Sequence, residues 1–184
     1  IESYTFDDVK NFFKKYYSPN NACLVEAGDF ENDNTVKLIE KYFGLIEPFE
    51  SNHKPESNKL TLKESILVEH KDNVQLDRIY LAWHSDLIFG KDDSSLEVAA
   101  DILTGSKNSR LYKKLVFDLQ IAQDVSAFQY SGKFGGQFMI ISTARPGTNL
   151  DELKKIILEE VNIIASTNVS DKELEKSKNG IKAQ

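Results

Sequence analysis

Residues 121–144 read IAQDVSAFQYSGKFGGQFMIISTA, and they decide the fold. Two arms, 121–130 and 134–144, flank the polar turn Ser131-Gly132-Lys133. Arms of this length around a short Gly-bearing turn predict a long antiparallel hairpin. Gly135-Gly136 at the head of the second arm predicts a bulge, or a place where another backbone comes close.

Beyond the hairpin, Arg145-Pro146-Gly147 marks a turn, and a helix is predicted from about 150 to 165. Ser170-Asp171-Lys172-Glu173 has the spacing of a capping box and opens a last helix. On the other side lie two more predicted helices. One runs over 94–103 and ends at Gly105; the other covers 109–119, with Leu111, Tyr112, Leu115 and Leu119 apolar. Before these, strands are expected at 62–70 and 75–84, joined by a polar Lys71-Asp72-Asn73 turn. The second becomes more continuously apolar along its length, as a strand inside a sheet does.

Residues 47–59 change character: Pro48, Ser51, His53, Pro55, Ser57 and Asn58 leave few apolar side chains, and this stretch reads as a linker. Residues 1–46 precede it as a helix-strand-helix piece. Thr5 is the expected N-cap, with Asp8 three positions on, and Phe6, Val9, Phe12, Phe13 and Tyr16 recur at helical spacing. Pro19 ends that helix. The apolar run 22–27 predicts a buried strand turned by Gly28-Asp29, and 34–43 a second helix closed by Gly44. With residues 60–184 as the larger domain, the order of elements predicts an α+β fold. Its sheet is mainly antiparallel, with helices packed on one face.

Composition excludes several functions. The formal charge is −6, with lysines interleaved among acids, which argues against a nucleic-acid surface. No run of 18 apolar residues exists, so no membrane span is expected. Cys23 is the one cysteine, which rules out an internal disulfide and a cysteine metal site; its apolar surroundings predict a buried, inert thiol. The histidines are His53, His70 and His84. A zinc peptidase helix needs two histidines one turn apart with a carboxylate between or beside them. His53-Lys54-Pro55-Glu56 contains a proline and no second histidine, so no metal site is expected. Neither a G-x-S-x-G elbow nor a phosphate loop is present. Asp92-Asp93 read as acids stabilising the start of a helix, and Ser170 in Asn168-Val169-Ser170 as a cap. The residues therefore assign no catalytic, metal or substrate-binding side chain. The chain opens on Ile1 and stops at Gln184 inside a helical pattern, which reads as a segment of a longer polypeptide.

The strings themselves point further. Tyr4-Thr5-Phe6-Asp7-Asp8-Val9-Lys10-Asn11-Phe12, then Tyr16-Tyr17-Ser18-Pro19-Asn20-Asn21, then Val25-Glu26-Ala27-Gly28-Asp29-Phe30, occur in that order. They are followed by Leu38-Ile39-Glu40-Lys41-Tyr42-Phe43-Gly44, Leu96-Glu97-Val98-Ala99-Ala100-Asp101-Ile102-Leu103 and Ser109-Arg110-Leu111-Tyr112-Lys113-Lys114-Leu115. Val169-Ser170-Asp171-Lys172-Glu173-Leu174 closes the series. The ordered set resembles the pitrilysin-type zinc metallopeptidases, which include insulin-degrading enzyme and the mitochondrial processing peptidases. The resemblance covers nearly the whole chain.

The resemblance implies that zinc is held on an inverted H-x-x-E-H helix and a later Glu, all before Ile1. This chain would be the inactive domain that follows the zinc domain, with no cofactor of its own and zinc elsewhere in the parent. Its partners would be the upstream zinc domain, a homologous second half or subunit, and a peptide substrate enclosed between the halves. In the second half an Arg and a Tyr spaced R-x-x-x-x-x-x-Y assist catalysis. Here Val116 and Gln123 occupy those positions, and neither replaces a guanidinium or a phenol. Arg110 is expected to pack its stem and pair its head with an acid. Gly132, Gly135 and Gly136 are expected to serve tight strand packing. Residues 5–30 would finish the zinc domain, and residues 5–44 would dock on the sheet of 60–184. The resemblance leans towards a bacterial periplasm or cell envelope.

Overall fold

The computed structural model describes residues 3–48 and 62–183. The chain forms two compact units, one within residues 1–56 and the other within 57–184. His53 and nearly all of the expected linker lie outside the described residues.

In the first unit, helix α1 (Phe6–Tyr16) begins as the capping box predicts. The Asp8 N–H donates to Thr5 Oγ1 at 3.3 Å, and the Thr5 N–H donates to the Asp8 carboxylate at 2.8 Å. The Thr5 hydroxyl, which donates to the same carboxylate at 2.7 Å, and then the Thr5 N–H hold the Asp8 carboxyl below its ordinary value. Phe12, Phe13, Tyr16 and Tyr17 cluster along one side, with Phe13 and Tyr17 rings 4.6 Å apart. None of the helix's side chains is buried. A single 3₁₀ turn, Pro19–Asn21, follows. Helix α2 (Asn32–Phe43) starts two residues before its predicted position and ends at Gly44.

The buried strand expected at 22–27 is not formed. The segment is without a ladder partner among the described residues, and Leu24 and Val25 are exposed. Cys23 is exposed as well, not buried. An apolar hexapeptide becomes a strand only where another strand satisfies its backbone groups, and none does so here.

In the second unit, the hairpin is present as β2 (Ala122–Gly132) and β3 (Gly135–Ala144). β1 (Arg78–Ser85) adds antiparallel to β3, giving the order β1-β3-β2. Residues 62–70, expected to form a strand before it, instead run exposed and without a ladder partner among the described residues. The register explains the preference for β3. It sets Leu81 beside Ile140 and Trp83 beside Phe138 on one face, so apolar side chains meet across strands. Val125 and Ala127 of β2 join the same face through Ser142 and Ile140.

Helices α3 (Asp93–Thr104), α4 (Arg110–Tyr112) and α5 (Leu150–Ser166) cover that face, and α6 (Asp171–Lys182) packs on α3. Leu103, Leu111, Leu115, Val125, Ile140, Leu153 and Ile157 are buried together at the centre. A side chain of this kind contributes roughly 1.5–3 kcal/mol by leaving water. The architecture is α+β with an antiparallel sheet and helices on one face, as expected. Thr104 fastens α3 to β2, its hydroxyl accepting the Ala127 N–H at 2.7 Å. Gly136 meets the expectation of close backbone approach: a Cβ there would strike the Asp86 carbonyl oxygen. The bulge sits elsewhere, on β2 between Ala122 and Asp124.

Candidate functional site

The Ser-Arg-Leu string opens α4 and is held on every side. The Ser109 hydroxyl donates to the Asp101 carbonyl at 3.1 Å and accepts the Ser106 N–H at 2.9 Å, which closes the loop after α3. Leu111 is fully buried in the core. Between them, the Arg110 guanidinium makes a two-point pair with Glu173, Nε to Oε1 at 2.7 Å and Nη2 to Oε2 at 3.0 Å. Its Nη1 also lies 3.7 Å from Glu160, which faces Lys114 at the same distance. Arg110, followed by the Ser170 hydroxyl, holds the Glu173 carboxyl down at about 2. Arg110 thus ties α4 to α5 and α6.

The next stretch contains the positions that resemblance pairs with the catalytic Arg and Tyr. α4 does not continue as a regular helix to 119. It widens into a π-helical run, Lys113–Asp118, in which the Leu119 N–H reaches back to the Lys114 carbonyl. Gln120 then takes a left-handed φ of 54°, and β2 begins with its bulge. Val116 is half-buried against the core, and Gln123 is exposed at the bulge. An alkyl group and a neutral amide can neither carry charge nor transfer a proton at neutral pH. The sequence has no Gly or Asn at 120 to announce the left-handed turn, so nothing local foretold these irregularities.

The face of the sheet away from the helices is open. Tyr80, Phe128 and Tyr130 are exposed there, with Ile141 and Met139 half-buried between the outer strands. At one end, Arg78 Nε donates to Thr143 Oγ1 at 3.0 Å, and Thr143 donates to Asp124 Oδ1 at 3.1 Å, so one polar row crosses all three strands. His84 lies exposed on the same face, in register with Gln137.

Among the described residues, no group of three or more His, Cys, Asp or Glu side chains is placed to hold a metal ion. His70 is exposed in the extended segment before β1. Asp93 stands in the first turn of α3, as expected, and also accepts the Phe89 N–H at 3.0 Å and Gln129 Nε2 at 3.2 Å. The Phe89 N–H, followed by the Ser131 hydroxyl, lowers the Asp93 carboxyl from its ordinary value. These bonds pin the loop between β1 and α3, a feature that sequence reasoning missed. Asp86, Leu87, Ile88 and Phe89 contain no turn residue at the strained position, so the loop gave no signal. No helix among the described residues is long and apolar enough to cross a membrane.

Known proteins are similar to this chain over nearly its whole length. The zinc protease PqqE of Helicobacter pylori is 25% identical over 186 residues, covering 100% of this chain and 42% of that protein. The uncharacterized zinc protease YmxG of Bacillus subtilis is 28% identical over 194 residues, covering 99% of this chain and 43% of that protein. Among solved structures, a protease from Helicobacter pylori superposes with a TM-score of 0.86 at 24% identity, over 99% of this chain and 45% of that one. The chain thus spans less than half the length of these relatives. The sequence pattern described as the Peptidase M16 inactive domain matches residues 3–181. The chain belongs to that family, the inactive domain of pitrilysin-type zinc proteases.

Proposed function

We propose that this chain is the non-catalytic domain of a zinc-dependent metalloendopeptidase. It forms part of the substrate chamber and supports peptide-bond hydrolysis carried out by a zinc domain elsewhere in the protein. The observation that carries the reading is the family match over residues 3–181. Val116 and Gln123, which the resemblance pairs with a catalytic Arg and Tyr, agree with it. The open sheet face suits a chamber wall. It offers exposed aromatic side chains for an extended peptide and a fixed polar row at Arg78, Thr143 and Asp124. The partners on this reading are the zinc domain, a homologous second half or subunit, and the peptide.

The full-length protein, purified with zinc, is expected to cleave unstructured peptides and to lose that activity to a chelator. The isolated chain with added zinc is expected to show no turnover above buffer. Zinc-dependent turnover by the isolated chain would overturn the assignment. A folded full-length protein without zinc-dependent cleavage would favour a second reading, that of an inactive homologue serving as a scaffold or partner-binding subunit; Val116 and Gln123 suit that reading equally. We place the parent in a bacterial periplasm or cell envelope, and recovery of the native protein only in the cytosolic fraction would refute this.

A further inference from the structure

We infer that the tip of the loop between β1 and α3 is a preformed contact with a second domain of the same family, and that Phe89 is its anchor. The inference rests on reading the chain as one domain of a larger zinc protease. Leu87, Ile88 and Phe89 stand in succession at the tip, 43%, 41% and 93% exposed. Phe89 holds a φ of 60°, which disfavours any residue with a Cβ. A plain connector would place Gly or Asn there; this loop keeps a large aromatic in the strained position and turns it to solvent.

The tip is also tied down by hydrogen bonds. Asp86 accepts the Leu87 N–H at 2.9 Å and the Asp92 N–H at 3.0 Å, and Asp93 accepts the Phe89 N–H at 3.0 Å. The Ile88 N–H donates to the Gly132 carbonyl at 3.1 Å. That bond seats the tip against the β2–β3 turn, where Phe134 is half-exposed. The strain is therefore held by fixed bonds, and the apolar side chains would lose little freedom on docking.

A central aromatic with aliphatic neighbours and a rim of mixed charge is the pattern of a protein interface. Lys91, Lys133 and Asp92 supply the rim. An anionic bilayer is less suited, because Asp86, Asp92 and Asp93 outnumber the two lysines. More than half of each matched zinc protease lies outside the segment shared with this chain. A covalently attached domain would meet the tip at high effective concentration.

The test places a photo-reactive benzoyl-phenylalanine at position 89 of the full-length protein. After irradiation, cross-linked peptides are expected to map to a second peptidase domain, on the same chain or on a partner subunit. Cross-links only to added substrate peptide, only to added phosphatidylglycerol vesicles, or to nothing would overturn the inference. With the photo-reactive group moved to position 134, Phe89→Gly is expected to cut the cross-link yield about fivefold or more. Tm should not fall, because this exchange relieves the backbone. Unchanged yield would assign Phe89 no docking role. Zinc-dependent cleavage by the same preparations is read separately: its absence counts against the peptidase reading, while the cross-link map still decides the contact.

Discussion

Arg110 shows how one side chain can tie three helices together. Its planar fork meets both oxygens of Glu173, and only the third point, towards Glu160, is long. Arg110→Met keeps the stem but leaves two acids without their shared partner. It is expected to cost about 1–3 kcal/mol at neutral pH, nearer the lower figure because the Glu173 side chain is a third exposed and solvent screens the pair. The pH dependence follows from the sign of the shift. Glu173 is held at about 2 in the folded chain against an ordinary 4.5. Its contribution is therefore complete above roughly pH 4.5 and fades as pH falls towards 2. Denaturant unfolding across that interval should show the native chain losing stability more steeply than Arg110→Met. Parallel slopes would mean that the ion pair is not formed in solution.

At the scale of elements, two glycines separate packing from propensity. Gly136 lies where β3 passes under the Asp86 carbonyl, so Gly136→Ala must push β3 and the β1–α3 loop apart. A loss of about 2–4 kcal/mol is expected, seen as a fall in Tm. Gly180, inside α6, has open space where a Cβ would go. Gly180→Ala is expected to raise stability by up to about 1 kcal/mol, and calorimetry of the two variants should move Tm in opposite directions. The elements also show what sequence can convey. The capping boxes at Thr5 and Ser170 join residues three apart, so a local string holds the whole message. The hairpin was legible for the same reason, its turn and both arms being continuous. Residues 22–27 and 62–70 have apolar content suited to strands, yet strand formation depends on a distant partner that no local pattern names. The π-helical run and left-handed Gln120 were silent too, since Phe117, Asp118, Leu119 and Gln120 are unremarkable helix-end residues.

At the scale of the molecule, the second unit divides into a core that sustains it and faces that do not. Ile140 is fully buried between the sheet and its helices, while Phe128 of the same sheet stands on the open face. Ile140→Ala is expected to cost about 2–5 kcal/mol. Phe128→Ser should leave stability within about 0.5 kcal/mol and reduce self-association of the isolated chain, measurable by sedimentation. Equal destabilisation by both would mean that the open face is covered. The candidate site was legible in part. The string paired Val116 and Gln123 with a catalytic Arg and Tyr by spacing alone, and it held no sign of the distorted backbone that carries them.

That backbone has a consequence for the history of the family. A π-helical turn and a β-bulge each accommodate one residue more than the regular helix or ladder around them. Here they stand at the two ends of a single stretch, Lys113–Asp118 and Ala122–Asp124. A lineage could gain or lose a residue at either place while the buried Leu115 and Val125 kept their seats. Descent across this stretch should therefore be traced by position in space, because equal spacing along two sequences need not mark the same ancestral residue.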